Sequence, residues 1–239
     1  MTARARVVVA LVPERVPAAL AAGGGPARGW TGVAVDVLRA TSTLTLAREH
    51  GATRIVPLAG TAEALALRAE RPDVLACGER QGRIVPGFDL GNSPFEFVRD
   101  RVAGRTLAFA STNGSRALLA LAGCGTRWLG AFLSASALAG ALAGAPRVCI
   151  ACAGKEGAFA LEDAACAGWL VARLAAAGAE PANDEARLCA ALAPRDAGEV
   201  RALVEGCEHG RYLAGLGPEY ARDVALCGTL DAAGVAHTF

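Results

Sequence analysis

RIVPLAGTAEALALRAERPDVLAC, residues Arg54–Cys77, is the stretch from which the fold follows. Arg54–Pro57 is a short apolar run of strand length, Gly60 interrupts it, Thr61–Arg71 carries a helical pattern, and Asp73–Cys77 is again a strand. Two strands joined by a helix through short links form a crossover unit, which requires a parallel sheet with helices on its faces. Toward the N-terminus the same alternation continues. Strand Arg6–Val12 is followed by a short helix, the breaker Gly23-Gly24-Gly25-Pro26, strand Val33–Leu38 and a helix over Leu44–His50. Downstream come a helix over Pro94–Val102, strand Thr106–Ala110, a helix to Leu121, strand Arg127–Ala131, a helix from Ser134, strand Val148–Cys152 and a long helix over Ala160–Ala177. Beyond Pro181 the pattern turns helical, over Asp184–Leu192, Ala197–Glu208 and Glu219–Leu226, with a last strand expected at Val235–Phe239. The expected fold is a three-layer α/β/α arrangement with a mostly parallel sheet in one domain over residues 1–239. A division into two α/β lobes with the site between them is the alternative arrangement.

The chain has 239 residues and is 53% hydrophobic, enough for a large core. Its 24 basic residues against 23 acidic leave a net charge of +1, so no global field draws it to nucleic acid or an acidic membrane. Trp128–Pro146 is uncharged throughout and approaches the length of a membrane span. Its many Ala, Gly and Ser residues and internal turn signals make it a strand plus a small-residue helix instead. Arg4 and Arg6 precede only a short apolar run, which Pro13 ends before a signal-peptide core is reached. Eight cysteines without a regular framework indicate reduced thiols, mostly core, in a cytoplasmic protein. Oligomeric state is not encoded in any motif, and a homo-oligomer is compatible with all of this.

One stretch follows neither period: ERQGRIVPGFDLGNSPFE, Glu79–Glu96, long, polar and glycine-rich. Its Phe88, Leu90 and Phe95 are out of place in a disordered linker, so an ordered active-site loop is expected. Three strand-to-helix turns are also dense in polar groups: Asp36-Val37-Leu38-Arg39-Ala40-Thr41-Ser42-Thr43, Ser111-Thr112-Asn113-Gly114-Ser115, and Ala153-Gly154-Lys155-Glu156-Gly157, the last followed by Glu162-Asp163. In open α/β sheets ligands bind at the carboxyl ends of strands, where all these clusters fall. Together they supply carboxylates at Asp36, Glu79, Asp89, Glu162 and Asp163. Arg39, Arg80 and Lys155 are the cations, and Ser42, Thr43, Asn113 and Ser115 the neutral donors. Hard oxygen ligands beside cations suit a magnesium-assisted phosphoryl site. Zinc does not fit, because His50, His209 and His237 share no ligand spacing.

Each residue also has an ordinary structural role open to it. Asp36 can cap the following helix, acids are favoured in a helix's first turn as at Glu162 and Asp163, and Asn113-Gly114 is a common turn pair. Lys155 lies between glycines but lacks the Gly-x4-Gly-Lys-Ser/Thr pattern of a phosphate loop. Cys77 and Arg83 stand in a Cys-x5-Arg spacing, yet Cys189 and Arg195 match it equally on a plain helix. Cys77 is therefore read as core rather than nucleophile. Cys149 and Cys152, within one strand, point to opposite faces and form no metal knuckle.

Taken together, DVLRATST (Asp36–Thr43), GERQGRIVPGFDLGNSPFE (Gly78–Glu96), STNGSRA (Ser111–Ala117) and ACAGKEGAFALEDAACAG (Ala151–Gly168) resemble the 2-phosphosulfolactate phosphatase family. Ser111 and Ser115 stand where the family is expected to carry threonine, a change that keeps the hydroxyls. The resemblance implies a magnesium-dependent acid phosphatase that converts 2-phospho-3-sulfolactate to 3-sulfolactate, a step of coenzyme M synthesis. It places Asp36, Glu79 and Asp163 around magnesium, with Glu162 or Asp89 orienting water or acting as acid and base beside Asp36. Arg39, Arg80 and Lys155 are assigned to the anionic groups, and Thr43 and Asn113, Gly114 and Ser115 to the phosphate oxygens. The partner is then a small anionic phosphorylated substrate. Two other readings stand beside it: a phosphatase for another small phosphorylated 2-hydroxy acid, and a non-catalytic anion-binding protein. Against the latter, a plain anion receptor gains nothing from so many carboxylates without a metal.

Overall fold

A computed structural model describes residues 4–239. Its strands form two sheets. The first is wholly parallel, with β1 (Arg6–Ala10), β2 (Thr31–Val35), β7 (Thr126–Gly130), β8 (Arg147–Cys152) and the two-residue β9 (Glu180–Pro181) in the order β7-β2-β8-β1-β9. The second has the order β3-β6-β4-β5, from β3 (Arg54–Pro57), β4 (Val74–Arg80), β5 (Arg83–Ile84) and β6 (Thr106–Ala110), and is parallel except at β5.

The apolar strands are apolar on both sides because both of their faces are covered. Along β8, Val148, Ile150 and Cys152 enter one core cluster and Cys149 and Ala151 another. The first cluster lies under α6 (Ala135–Leu142), α7 (Leu161–Ala176), α8 (Asp184–Ala191), α9 (Ala197–Gly206), α10 (Glu208–Ala214) and α11 (Pro218–Cys227). On the other face, α1 (Val16–Gly23), α2 (Ala40–Glu49) and α5 (Gly114–Ala120) complete a three-layer α/β/α sandwich. These same helices also meet Cys77, Leu107 and Phe109 of the second sheet, whose far face packs on α3 (Thr61–Glu70) through Ala64, Val74, Ala76 and Ala108. The middle helices are thus shared by the two sheets.

The expected alternation is present, β9 and α10 are additional elements, and several expected stretches differ in extent. The helix expected at Leu44 starts at Ala40, because Asp36 Oδ1 accepts the Ala40 N–H at 3.2 Å and the Thr41 and Ser42 hydroxyls donate back to the Asp36 and Val37 carbonyls. The long loop is partly a hairpin. β4 runs on to Arg80 and pairs with β5 across Gln81 and Gly82, both at positive φ, the geometry of a two-residue turn. The rest of the loop returns beside β4, with Phe88 and Leu90 buried. The single helix expected over Pro94–Val102 is instead a 3-10 turn, Pro94–Glu96, and a separate short helix, α4 (Arg99–Val102), with Val98 extended between them. Val235–Phe239 forms no strand and makes only a bridge from Thr238 to Trp128. Among the described residues no helix is long and apolar enough to cross a membrane, and Trp128–Pro146 is β7's end, a 3-10 turn and α6.

Helix α7 packs closely on α8 at Gly168, where an added Cβ would stand 1.9 Å from the Cys189 carbonyl oxygen. Gly168→Ala is therefore expected to lower unfolding free energy by about 1–3 kcal/mol in chemical denaturation, the usual cost of overpacking a core.

Candidate active site

Register brings the polar turns together. Val35 is opposite Cys152 in the first sheet and Gly78 opposite Ala110 in the second. The chains leaving β2, β8, β4 and β6 therefore emerge side by side, two from each sheet. Between them lies a cavity of about 230 Å³ lined by Asp36, Arg39, Glu79, Asn92, Thr112, Asn113, Lys155, Glu156, His209 and Tyr212, with the Gln81-Gly82 turn at its edge.

The carboxylates are buried, and each is held differently. Asp163 Oδ1 accepts the Val37 N–H at 2.8 Å and Oδ2 the Gly154 N–H at 3.0 Å, tying the exit of β2 to the exit of β8. Burial pushes its pKa well above the usual value, and the charges of Asp36 and Glu162 act the same way. Glu79 does for the second sheet what Asp163 does for the first: Oε1 accepts the Thr112 N–H at 2.8 Å and Oε2 the Gly82 N–H at 2.7 Å. Burial likewise pushes Asp36 up to about 7; His209 and the Ala40 N–H oppose the shift, and Glu79 and Glu162 add to it. Gly114 has no room for a side chain here, because a Cβ would stand 2.3 Å from Ala40 Cβ and 2.6 Å from Asp36 Oδ2.

Lys155 stands before a second tight turn, with Glu156 and Gly157 at positive φ and Lys155 and Ala158 exchanging both backbone hydrogen bonds at 2.9 Å. Asn113 Oδ1 accepts the Glu156 N–H at 3.0 Å and joins this turn to the β6 exit. The ammonium lies 4.7 Å from the Tyr212 ring centroid and 3.5 Å from Glu208.

Of the residues read from sequence, Asp36, Arg39, Glu79, Asn113 and Lys155 line the cavity, and Gly114 abuts it. Thr43, Ser115 and Arg80 brace its walls. The Thr43 hydroxyl donates to the Asn92 carbonyl, Ser115 Oγ accepts the Ser111 N–H, and Arg80 donates to the Glu79 and Ala110 carbonyls. Asp163 is buried and does not line the cavity, and Glu162 lines an adjoining pocket with Lys155 and His209. Asp89 is placed elsewhere: it pairs with Arg68 at 2.8 Å and accepts the Ala76 N–H, fastening the loop to β4 and α3. Its place in the polar, glycine-rich loop Glu79–Glu96 is what drew it into the sequence pattern.

The C-terminal helices supply what sequence did not reveal. Arg39 Nη1 meets Asp223 Oδ2 of α11 at 2.5 Å with both side chains buried, and Nη2 donates to the Gly82 carbonyl at 2.9 Å. Asp223 Oδ1 in turn accepts from Ser93 at 2.7 Å. From α10, His209 Nδ1 lies 2.9 Å from Glu162 Oε1. Burial opposes the ionised Glu162, but the His209 hydrogen bond and charge outweigh it and hold the carboxyl below its usual range. No motif marks Asp223 or His209. The only sequence signal was an aspartate within the helix expected over Glu219–Leu226 and a histidine just past the helix expected to end at Glu208, which is unremarkable alone.

Among the described residues no three His, Cys, Asp or Glu side chains are grouped to enclose a metal ion by themselves. Asp36 and Glu79, two of the carboxylates that line the cavity, are nevertheless hard oxygen donors. They suit magnesium, which binds through one or two carboxylates and completes its shell with water and substrate oxygens. All eight cysteines are free and buried, and burial pushes the Cys77 thiol well above its ordinary pKa.

The fold and cavity define an α/β protein with a charged cleft at the carboxyl ends of two mostly parallel sheets. The family model for 2-phosphosulpholactate phosphatase matches residues 20–238, and the chain belongs to that family of phosphoric monoester hydrolases. It is 36% identical over 223 residues to a "probable 2-phosphosulfolactate phosphatase" of Synechococcus sp. strain JA-2-3B'a(2-13), covering 92% of this chain and 89% of that protein. Proteins of the same printed name from Gloeobacter violaceus and Deinococcus radiodurans are 39% and 40% identical, over 83% and 77% of this chain and 84% and 77% of theirs.

Two outcomes follow from this geometry. Asp223→Ala leaves Arg39 buried without its counterion and is expected to cost about 3–5 kcal/mol in equilibrium unfolding. Cys77→Ser is expected to retain phosphatase activity, measured by phosphate release, because its thiol is core.

Proposed function

We propose that the protein is a magnesium-dependent phosphatase that hydrolyses 2-phospho-3-sulfolactate to 3-sulfolactate and phosphate. A place in coenzyme M synthesis and a cytoplasmic location belong to the same proposal. The observation that carries it is the meeting of Asp36 and Glu79, from different sheets, with Lys155 and Asn113 at one cavity. Family membership and the relatives' names point to the ester, and the cavity's chemistry suits it. The substrate carries phosphate, carboxylate and sulfonate, which require several positive groups in one place.

Asp36 and Glu79 would hold magnesium, with Asp163 bracing the β2 exit behind Asp36. The ion, when bound, supplies charge neutralisation for the phosphoryl oxygens. It also suits the protein, because buried carboxylates that raise one another's pKa need a positive partner to ionise together. Lys155, fixed by its tight turn, binds an anionic group of the substrate. Arg39 is less free: its ion pair with Asp223 and its bond to Gly82 direct it to shaping the wall, while its remaining edge faces the cavity. Asn113 orients the phosphate from the β6 side. Asp36, Arg39 and Glu79 are themselves buried, which strengthens their electrostatic interactions at the cavity.

Asp36→Asn is expected to lower turnover by about 10²–10³-fold, the cost of removing one preorganised electrostatic group. Chelation should abolish phosphate release from 2-phospho-3-sulfolactate and added magnesium restore it. Full activity of the Asp36 variant, or activity indifferent to chelation, would remove the magnesium assignment.

A further inference from the structure

Of the three histidines, two are occupied away from the cleft. His50 Nδ1 lies 2.7 Å from the Phe97 carbonyl oxygen, and His237 Nε2 lies 3.0 Å from Glu49. His209 lines the cavity, on a side chain that is only 15% exposed. Its Nδ1 faces Glu162 Oε1 at 2.9 Å. A carboxylate is acceptor-only, so this contact places a proton on Nδ1 and leaves Nε2 as the nitrogen available to a ligand.

The pair is built rather than incidental. Glu162 is 2% exposed in the first turn of α7, one residue before the Asp163 that ties the strand exits together. His209 follows Cys207, whose sulfur accepts the Gly210 N–H at 3.2 Å and caps α10, so the backbone on both sides of the imidazole is fixed. Asp36, Lys155, Glu208 and Tyr212, from the β2 exit, the β8 turn and α10, line the cavities that His209 also lines. A histidine oriented by a buried carboxylate and facing a ligand cavity is the arrangement of a proton-transfer catalyst.

We propose that His209 is a catalytic residue, the general acid that protonates the leaving oxygen of the phosphate ester, and that Glu162 is its positioning residue. This rests on the phosphatase reading above. The alcohol of a 2-hydroxy acid is a poor leaving group unless it is protonated as it departs. As water attacks phosphorus, the new P–O bond forms and the P–O bond to the alcohol breaks. The electron pair of the broken bond stays on the ester oxygen, which takes the Nε2 proton of the protonated ring. The attacking water releases one proton, His209 recovers one, and the sum is ester plus water giving alcohol plus phosphate.

The test compares two monoesters that differ in leaving group: 2-phospholactate, which departs as an alkoxide, and p-nitrophenyl phosphate, which departs as a stable phenolate. His209→Asn is expected to lower kcat/KM by about 10²–10⁴-fold on the alkyl ester, the usual contribution of a positioned acid. On the nitrophenyl ester, which needs no proton, the loss should stay below about 10-fold. Glu162→Gln should show the same contrast to a lesser degree. His209→Gln serves as a second variant, and thermal unfolding is followed for all. Equal losses on the two esters, or no loss on either, would overturn the assignment. Wild-type protein that releases no phosphate from 2-phospho-3-sulfolactate or from either ester would overturn the phosphatase reading first, and this inference with it.

Discussion

The carboxylate of Asp163 is the point on which the cleft depends. It is 2% exposed, and each of its oxygens takes a backbone N–H from a different strand exit, Val37 after β2 and Gly154 after β8. Strand ends leave N–H groups unpaired, and burying them without a partner is costly. One side chain from the first turn of α7 satisfies both. It therefore fixes the spacing between the turn that bears Asp36 and the turn that bears Lys155.

Glu79 repeats this on the second sheet, bridging the exit of β6 and the β4–β5 turn. With both sheets braced from within, the middle helices α2 and α5 approach closely enough that Gly114 cannot carry a side chain. The consequence is electrostatic. Asp36, Glu162 and Asp163 lie together out of water, and burial drives Asp36 and Asp163 toward the protonated form. Carboxylates gathered in this way favour a bound cation, and that is the physical basis for the proposal that the cleft holds magnesium.

Much of this was legible in the sequence because apolar runs and polar turns alternate so plainly. Strands β3, β6 and β8 and helices α3, α5 and α7 stand within a residue or two of their expected limits. The tendency of ligand sites to gather at strand carboxyl ends picked out Asp36, Glu79, Asn113 and Lys155. The hairpin at Gln81-Gly82 was not legible, because Gln at the first left-handed position lacks the Asn or Asp that usually marks such a turn. Thr41 and Ser42 looked like turn residues. Their hydroxyls instead satisfy strand-end carbonyls from inside a helix. His209 and Asp223 could not be found by pattern, since long-range folding alone brings α10 and α11 over the sheet ends. Asp89 shared the composition of the site but is anchored to Arg68.

The most direct test is a crystal structure of the protein with magnesium and 3-sulfolactate bound. The account predicts one ion on Asp36 and Glu79, with the anionic groups of the ligand against Lys155 and Asn113. An ion bound away from those carboxylates, or a ligand seated outside the cleft between the two sheets, would contradict it.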